Sequence, residues 1–279
     1  MGLKKLNPKN KRWMRLTYKD ELRIKKRKKV ALRVLIALFI IIATCVGLGY
    51  LLFFANLLDV RTIDISGAEI IPSADLKTVA EGWLNGGFLG LTRNKNLFFI
   101  SAGELASELT AKFPRIDSVE IRKEFPHELK IAVVERQSAG IWCFIVSDKC
   151  FYFDKNGVAY AEATQSSGFL ILNVTDYQGQ AVALGSRVNL EEWTRNIITA
   201  RELLLKIGVS VAEISIPSGS FDEFDAKTAG GWKILFSNST DITKQITSLG
   251  ILFRDKLPAA SRTGLQYIDL RIQDRIYYK

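Results

Sequence analysis

Residues 34–55 read VLIALFIIIATCVGLGYLLFFA, twenty-two positions without a charge. A helix of that length rises roughly 33 Å, enough to cross a hydrocarbon core of about 30 Å. A soluble helix would carry a polar stripe, and Thr44 alone does not make one. The run is read as a membrane span, and charge sorts around it. Residues 1–33 hold fourteen Lys and Arg against Asp20 and Glu21, whereas the rest of the chain holds 25 basic and 27 acidic residues. The high pI therefore belongs to the tail. Basic residues crowded just before a span (Lys25 to Lys29 and Arg33) keep the N-terminus in the cytoplasm, so Asn56 to Lys279 are expected on the far side. The apolar run is longer than a signal-peptide core and no small-x-small site follows it, so an uncleaved anchor is expected. The tail lacks apolar periodicity, and disorder or a short helix running into the span is expected. Setting topology is its simplest role. Contact with anionic lipid is a secondary reading, and Trp13 and Tyr18 among the cations do not make nucleic acid an expected partner.

Behind the span, residues 60–66 alternate Ile63 and Ile65 with polar positions, the pattern of a strand. Pro72 and Ser73 open a helix with Leu76, Val79, Ala80 and Trp83 on one face. Gly86, Gly87 and Gly90 break it. No Gly-Lys-Ser/Thr follows those glycines, so they are read as a link between helices rather than a phosphate loop. Ser101 and Glu104 have capping-box spacing, and Leu105, Leu109 and Phe113 form the stripe of the helix they start. Strands over 116–123 and 128–135 follow, joined by Phe125-Pro126-His127. His127, at that tip, is read as a solvated turn residue. The order is β-α-α-β-β.

The second module alternates short strands with two helices. Trp142 to Val146 and Phe151 to Phe153 form a hairpin, followed by a turn at Asp154, Asn156 and Gly157 and a short strand around Leu172. A helix over 190–207 stops at Gly208. Strands over 211–216, 221–226 and 232–236 come next, then a helix over 242–257 closed by Pro258. The C-terminus alternates Ile268, Leu270 and Ile272 with Tyr267, Asp269 and Arg271, one face to pack and one for solvent or a partner. The fold class is α+β. The expected domains are a basic tail (1–33), a transmembrane anchor (34–58), a first α+β module (59–136) and a mixed β domain (137–279).

Several of these residues carry a resemblance. The first strand, Asn96-Leu97-Phe98, and Phe113-Pro114-Arg115-Ile116 running into Ser118-Val119-Glu120-Ile121 resemble a POTRA domain. Phe125-Pro126-x-x-Leu129-x-Ile131-x-Val133-Val134-Glu135-Arg136 resembles the turn and last strand of that domain in the FtsQ/DivIB family of bacterial cell-division proteins. Phe151-Tyr152-Phe153-Asp154-x-x-Gly157-Val158 is similar to the opening of that family's β domain, and Tyr267-Ile268-Asp269-Leu270-Arg271 with Asp274-Arg275-Ile276-Tyr277-Tyr278-Lys279 to its closing strand. The resemblance implies a single-pass scaffold of the division septum. Its partners would be FtsB/DivIC-like and FtsL-like coiled-coil membrane proteins, with septal wall synthases as further contacts. It also implies that an FtsB/DivIC-like partner adds a strand to the last strands of the β domain.

Physics supports an edge of that kind, because a strand ending at a sheet margin leaves N–H and C=O groups to receive a peptide. The residues expected to meet the partner are Arg271, Ile272, Gln273, Arg275, Ile276 and Tyr277, with the two arginines facing a carboxylate. The alternative is that Ile272, Ile276 and the tyrosines cover the domain's own core.

Cys45 lies in the span. Cys143 and Cys150 sit on the two arms of one hairpin, a candidate disulfide beyond the membrane. Two cysteines without a nearby histidine do not make a metal site, and no cofactor is expected. One histidine and the absence of HExxH and G-x-S-x-G leave only carboxylates for catalysis. Asp222, Glu223 and Asp225 are read as an acidic turn. A membrane-anchored cell-wall enzyme is the alternative class. A POTRA-bearing secretion or assembly component is another, although no barrel sequence follows.

Overall fold

The computed structural model describes residues 8–54, 58–86, 95–166, 168 and 170–279. The first seven tail residues, the exit of the span at 55–57, and Gly87 and Gly90 lie outside them. The protein is α+β. Helix α1 (Pro8–Phe54) carries the apolar run, and its stretch Lys25–Leu51 is long and apolar enough to cross a membrane. From Pro8 onward the tail departs from expectation: it continues into the span as one long helix rather than a short one. The physical reason is local. The tail is rich in Lys, Arg and Leu, all good helix formers, and after Pro8 it has no proline and no glycine before Gly47. A span that is already helical removes the cost of nucleation.

The first module is β1 (Thr62–Ser66), α2 (Ser73–Asn85), α3 (Ala102–Lys112), β2 (Ile116–Glu124) and β3 (Glu128–Glu135). Its sheet runs β1-β3-β2, with β1 parallel and β2 antiparallel to β3. Leu76, Ala80, Leu84, Leu105 and Leu109 of the helices bury against Leu129, Ile131 and Val133 of β3. Ser101 accepts from the backbone N–H of Glu104 at 3.4 Å, half of the expected capping box. Gly67 is required where β1 ends: its φ is +78°, and a Cβ there would lie 2.1 Å from the carbonyl oxygen of Val133. His127 is a half-exposed turn residue, as expected, but it also makes contacts. Its Nδ1 lies 3.1 Å from the carbonyl oxygen of Asp59, and its own carbonyl accepts from Arg61 N–H, so the hairpin tip holds the start of β1.

The second module holds β4 (Gly140–Phe144), β5 (Lys149–Phe153), β6 (Ala159–Ala163), β7 (Leu172–Asp176), α4 (Glu191–Lys206), β8 (Val211–Ile216), β9 (Glu223–Thr228), β10 (Lys233–Ser237), α5 (Ile242–Asp255), β11 (Tyr267–Asp269) and β12 (Tyr277–Tyr278). They form one nine-stranded sheet in the order β12-β11-β10-β9-β8-β7-β4-β5-β6. Trp193, Ile197, Ala200 and Leu204 of α4 and Ile246, Leu249 and Phe253 of α5 share one core with Trp142, Phe153, Ile214, Phe224 and Phe236 of the sheet. Cys143 and Cys150 face each other across β4 and β5, joined by a disulfide with an S–S distance of 2.01 Å.

The modules meet at Arg136, directly after β3. Its guanidinium donates to the Pro114 carbonyl at 3.1 Å, to Asp117 at 3.0 Å and to Asp154, which is buried in the second module. Asp154 is held ready by its other oxygen, which accepts from the backbone N–H groups of Asn156 and Val158 at 2.9 Å. The preceding residue, Glu135, works inside the first module. One of its oxygens accepts from the N–H groups of Glu69, Ile70 and Ile71, each at 2.9 Å. Burial pushes the Glu135 carboxyl up, but the three backbone donors outweigh it and leave it below the usual carboxylate range.

Candidate partner-binding edge

The C-terminal margin of the large sheet is built by a β10-α5-β11 crossover. Asp241 caps α5, accepting from Thr243 and Lys244 N–H at 2.8 and 3.2 Å. Gln245, buried in the first turn, donates to the Ser237 carbonyl at 2.7 Å and to Thr240 Oγ1 at 2.7 Å. That fixes the loop leaving β10. The helix then returns the chain so that β11 lies parallel to β10, with Ile268 and Leu270 buried.

After Leu270 the chain departs from the expected single strand. It turns through 271–276, with Asp274 at φ +60° and Arg275 N–H donating to the Ile272 carbonyl, then comes back as β12 antiparallel to β11. Ile272, expected on the packing face with Ile268 and Leu270, is instead 51% exposed because it lies in this turn. Ile276 takes the inward place and packs against the core. The signal was present in Gln273-Asp274, a polar pair inside an otherwise alternating run, with an Asp that tolerates the left-handed region.

Arg271 also departs from expectation. Its guanidinium forks onto both oxygens of Asp269, at 2.9 and 2.7 Å, and reaches Glu223 on β9 at 2.8 Å. The cation is occupied within the domain and is not free for a carboxylate on another chain. The Arg271 hydrogen bonds hold the Asp269 carboxyl below its ordinary range, while Arg271 itself is held above its own. Glu223 and Asp225 are therefore not an acidic turn: both lie on β9, and Asp225 faces Lys233 at 3.5 Å. Burial raises the Asp225 carboxyl despite that lysine.

The remaining predicted residues come together. Ile272, Gln273, Arg275 and Ile276 line a cleft of about 570 Å³ against Lys244 and Ser248 of α5. Arg275 is exposed and makes no ion pair among the described residues. Tyr277 follows Ile276 and opens β12, which among the described residues has a neighbour on one side only. The pairing of β12 leaves a defined open margin. Lys279 exchanges backbone hydrogen bonds with Tyr267 and Gln266, and Tyr277 stands opposite Asp269. Alternation in an antiparallel pair then turns the N–H and C=O of Tyr278 outward. Sequence reasoning did not single out Tyr278, Lys244 or Ser248, because the strand was read without its turn. Among the described residues, no group of three or more His, Cys, Asp or Glu is placed to hold a metal ion.

The FtsQ-type POTRA domain family matches residues 58–136, the whole of the first module. The chain is 22% identical over 236 residues to the cell division protein FtsQ of Streptomyces collinus, covering 82% of each protein. It is 23% identical over 252 residues to the FtsQ of a Geobacter species, covering 85% of this chain and 84% of that one. With the FtsQ of Mycobacteroides abscessus it shares 25% identity over 147 residues, 53% of this chain but less than half, 44%, of the relative. Among the described residues one helix is long and apolar enough to cross a membrane, and with it the chain carries an FtsQ-type POTRA domain and is similar over most of its length to cell division proteins FtsQ.

Proposed function

We propose that this protein is a non-enzymatic scaffold of the bacterial divisome that binds an FtsB/DivIC-like partner, with its FtsL-like companion, by strand addition to β12. The observation carrying this reading is the open margin of the nine-stranded sheet, where Tyr278 turns its backbone groups away from β11. Main-chain pairing supplies affinity there. The cleft between α5 and the 271–276 turn, with Arg275 at its rim, supplies side-chain selection. The basic tail lies in the cytoplasm, α1 crosses the cytoplasmic membrane, and both folded modules stand outside it at the septum. The basic residues before the span support that orientation. Held there, the scaffold links assembly of the division ring to septal peptidoglycan synthesis. A scaffold rather than a wall enzyme is supported by the pairing of the carboxylates on β9 with Arg271 and Lys233.

The test is capture of the organism's own FtsB/DivIC-like protein by the full chain in detergent, beside a chain ending at Arg275. Loss of capture on removing 276–279 supports the edge. Equal capture by both overturns it, and release of fragments from purified peptidoglycan by the full chain would favour the enzyme.

A further inference from the structure

The POTRA module has two unlike ends, and the end nearest the span exposes aromatic side chains. Helix α1 ends at Phe54, and by Leu58 the chain is already part of the module: the Leu58 carbonyl accepts from Leu97 N–H at 2.7 Å, and Val60 N–H donates to the Lys95 carbonyl at 2.8 Å. Four residues reach at most about 14 Å. Leu58 thus lies within that distance of the end of the helix, and the segment Lys95–Phe99 is its hydrogen-bonded neighbour. The β2–β3 hairpin tip is pinned to the same place, since His127 bonds to Asp59, Arg61 and Thr62.

These two segments present Phe98, 64% exposed, Phe125, 58% exposed, and the half-exposed Phe99, whose ring meets Phe98 edge-on at 5.3 Å. Lys123 Nζ lies 3.4 Å from the Phe98 carbonyl, and Arg61 is exposed beside them. Of the two acids that flank the tip, Glu124 is matched by Lys130 at 2.9 Å and Glu128 stands opposite it across the hairpin. Single exposed apolar residues need no explanation, but three phenylalanines flanked by cations at one end of a small domain form a patch. A headgroup layer is the surface that short tethering places in front of it, and aromatic rings with Lys and Arg at their margin suit that layer.

We infer that the POTRA domain rests on the bilayer surface through Phe98, Phe99 and Phe125, which enter the interface between headgroups and acyl chains. This rests on reading α1 as a membrane span. Contact at two separate segments fixes the tilt of the domain, which a flexible tether alone would leave free.

The test uses the full chain in single-copy nanodiscs made with lipids brominated near the glycerol end of the acyl chain. Phe98→Trp and Phe125→Trp are each compared with the parent, with Phe39→Trp in the span and the fully exposed Phe221→Trp in the β domain as references. The added emission at 98 and 125 is expected to fall at least about twofold in brominated lipid, as for a ring seated about 5–10 Å into the interface, while that at 221 is unchanged. Quenching at 39 but not at 98 or 125 overturns the inference and leaves the span intact. A blue shift at 98 and 125 without quenching also overturns it, since the rings then lie against protein. No quenching at 39 removes the span and the inference together.

Discussion

The two margins of the nine-stranded sheet are treated differently. At β6 the chain covers the start of its own edge: Ala159 donates to the Ser186 carbonyl and accepts from Gly185 N–H, and Val158 bridges to Arg187. The POTRA module adds to that cover, with the Arg115 guanidinium 5.1 Å from the centre of the Tyr160 ring. At β12 no such cover is found among the described residues; a two-residue strand forms that margin, with Tyr277 and Tyr278 each 46% exposed. A protein that shields one edge with a loop and a neighbouring domain does not leave the other open for want of means. The contrast separates a shielded margin from one with room for a further strand.

The largest expected effect lies at the covered margin. Arg136→Ala leaves Asp154 buried without its cation, and a loss of roughly 3 kcal/mol is expected in denaturant unfolding of the full chain. Capture of the partner at the folded β12 edge should be unchanged. If capture falls together with stability, the two margins are coupled and the contrast fails. Next is reduction of Cys143–Cys150, which closes a short loop one strand in from β6; a loss of about 2 kcal/mol is expected, again without change at β12.

The open margin is tested by a pair of prolines. Tyr278→Pro removes an N–H that faces outward, so stability should hold while affinity for the partner falls about tenfold through one lost hydrogen bond. Tyr277→Pro removes an N–H directed at β11 and should loosen β12 itself, seen as faster amide exchange at Tyr267 and Lys279. Equal effects of the two prolines on affinity and exchange would mean that the register of β12 is not the one described.

The smallest effect is electrostatic. Asp269 is held below its ordinary range by Arg271, so its contribution is present above the unfolded carboxyl pKa, about 3.9, and is lost as pH falls below that value through the folded one. The stability difference between the parent and Asp269→Asn should be flat from pH 7 down to about pH 4 and shrink below it. It should be modest, since Arg271 is partly exposed. A difference that grows on acidification would remove Arg271 as its cause.

What was legible in the sequence was whatever is encoded locally. The span needed only an unbroken apolar run, and α2, α3, α4 and α5 were marked by period, caps and the stops at Pro114, Gly208 and Pro258. The sites depended on partners far along the chain, and there the reading was weaker. Arg271 looked like a free cation although Asp269, two residues back, is one of its partners; the other, Glu223, lies forty-eight residues away. The contact of His127 escaped because Asp59 lies sixty-eight residues away. The final hairpin was local and still escaped notice, because two polar residues in an alternating run satisfy strand and turn alike. The tail helix escaped for another reason: it is carried on from the span, so it needed neither a cap nor an apolar stripe of its own to start it.

The parallel register of β1 and β3 has a mechanical consequence. The membrane anchor enters at the start of β1, and the β domain leaves at the end of β3, so tension between them pulls the two strands past each other along their length. The ladder from Thr62 opposite Glu128 to Ser66 opposite Ala132 is then loaded in shear, and its hydrogen bonds share the force instead of parting one after another. Glu135 and Arg136 sit where that load passes on, one gripping the loop after β1 and the other the β domain. A pull between helix α1 and the β domain is thereby carried along the most force-resistant direction of that ladder.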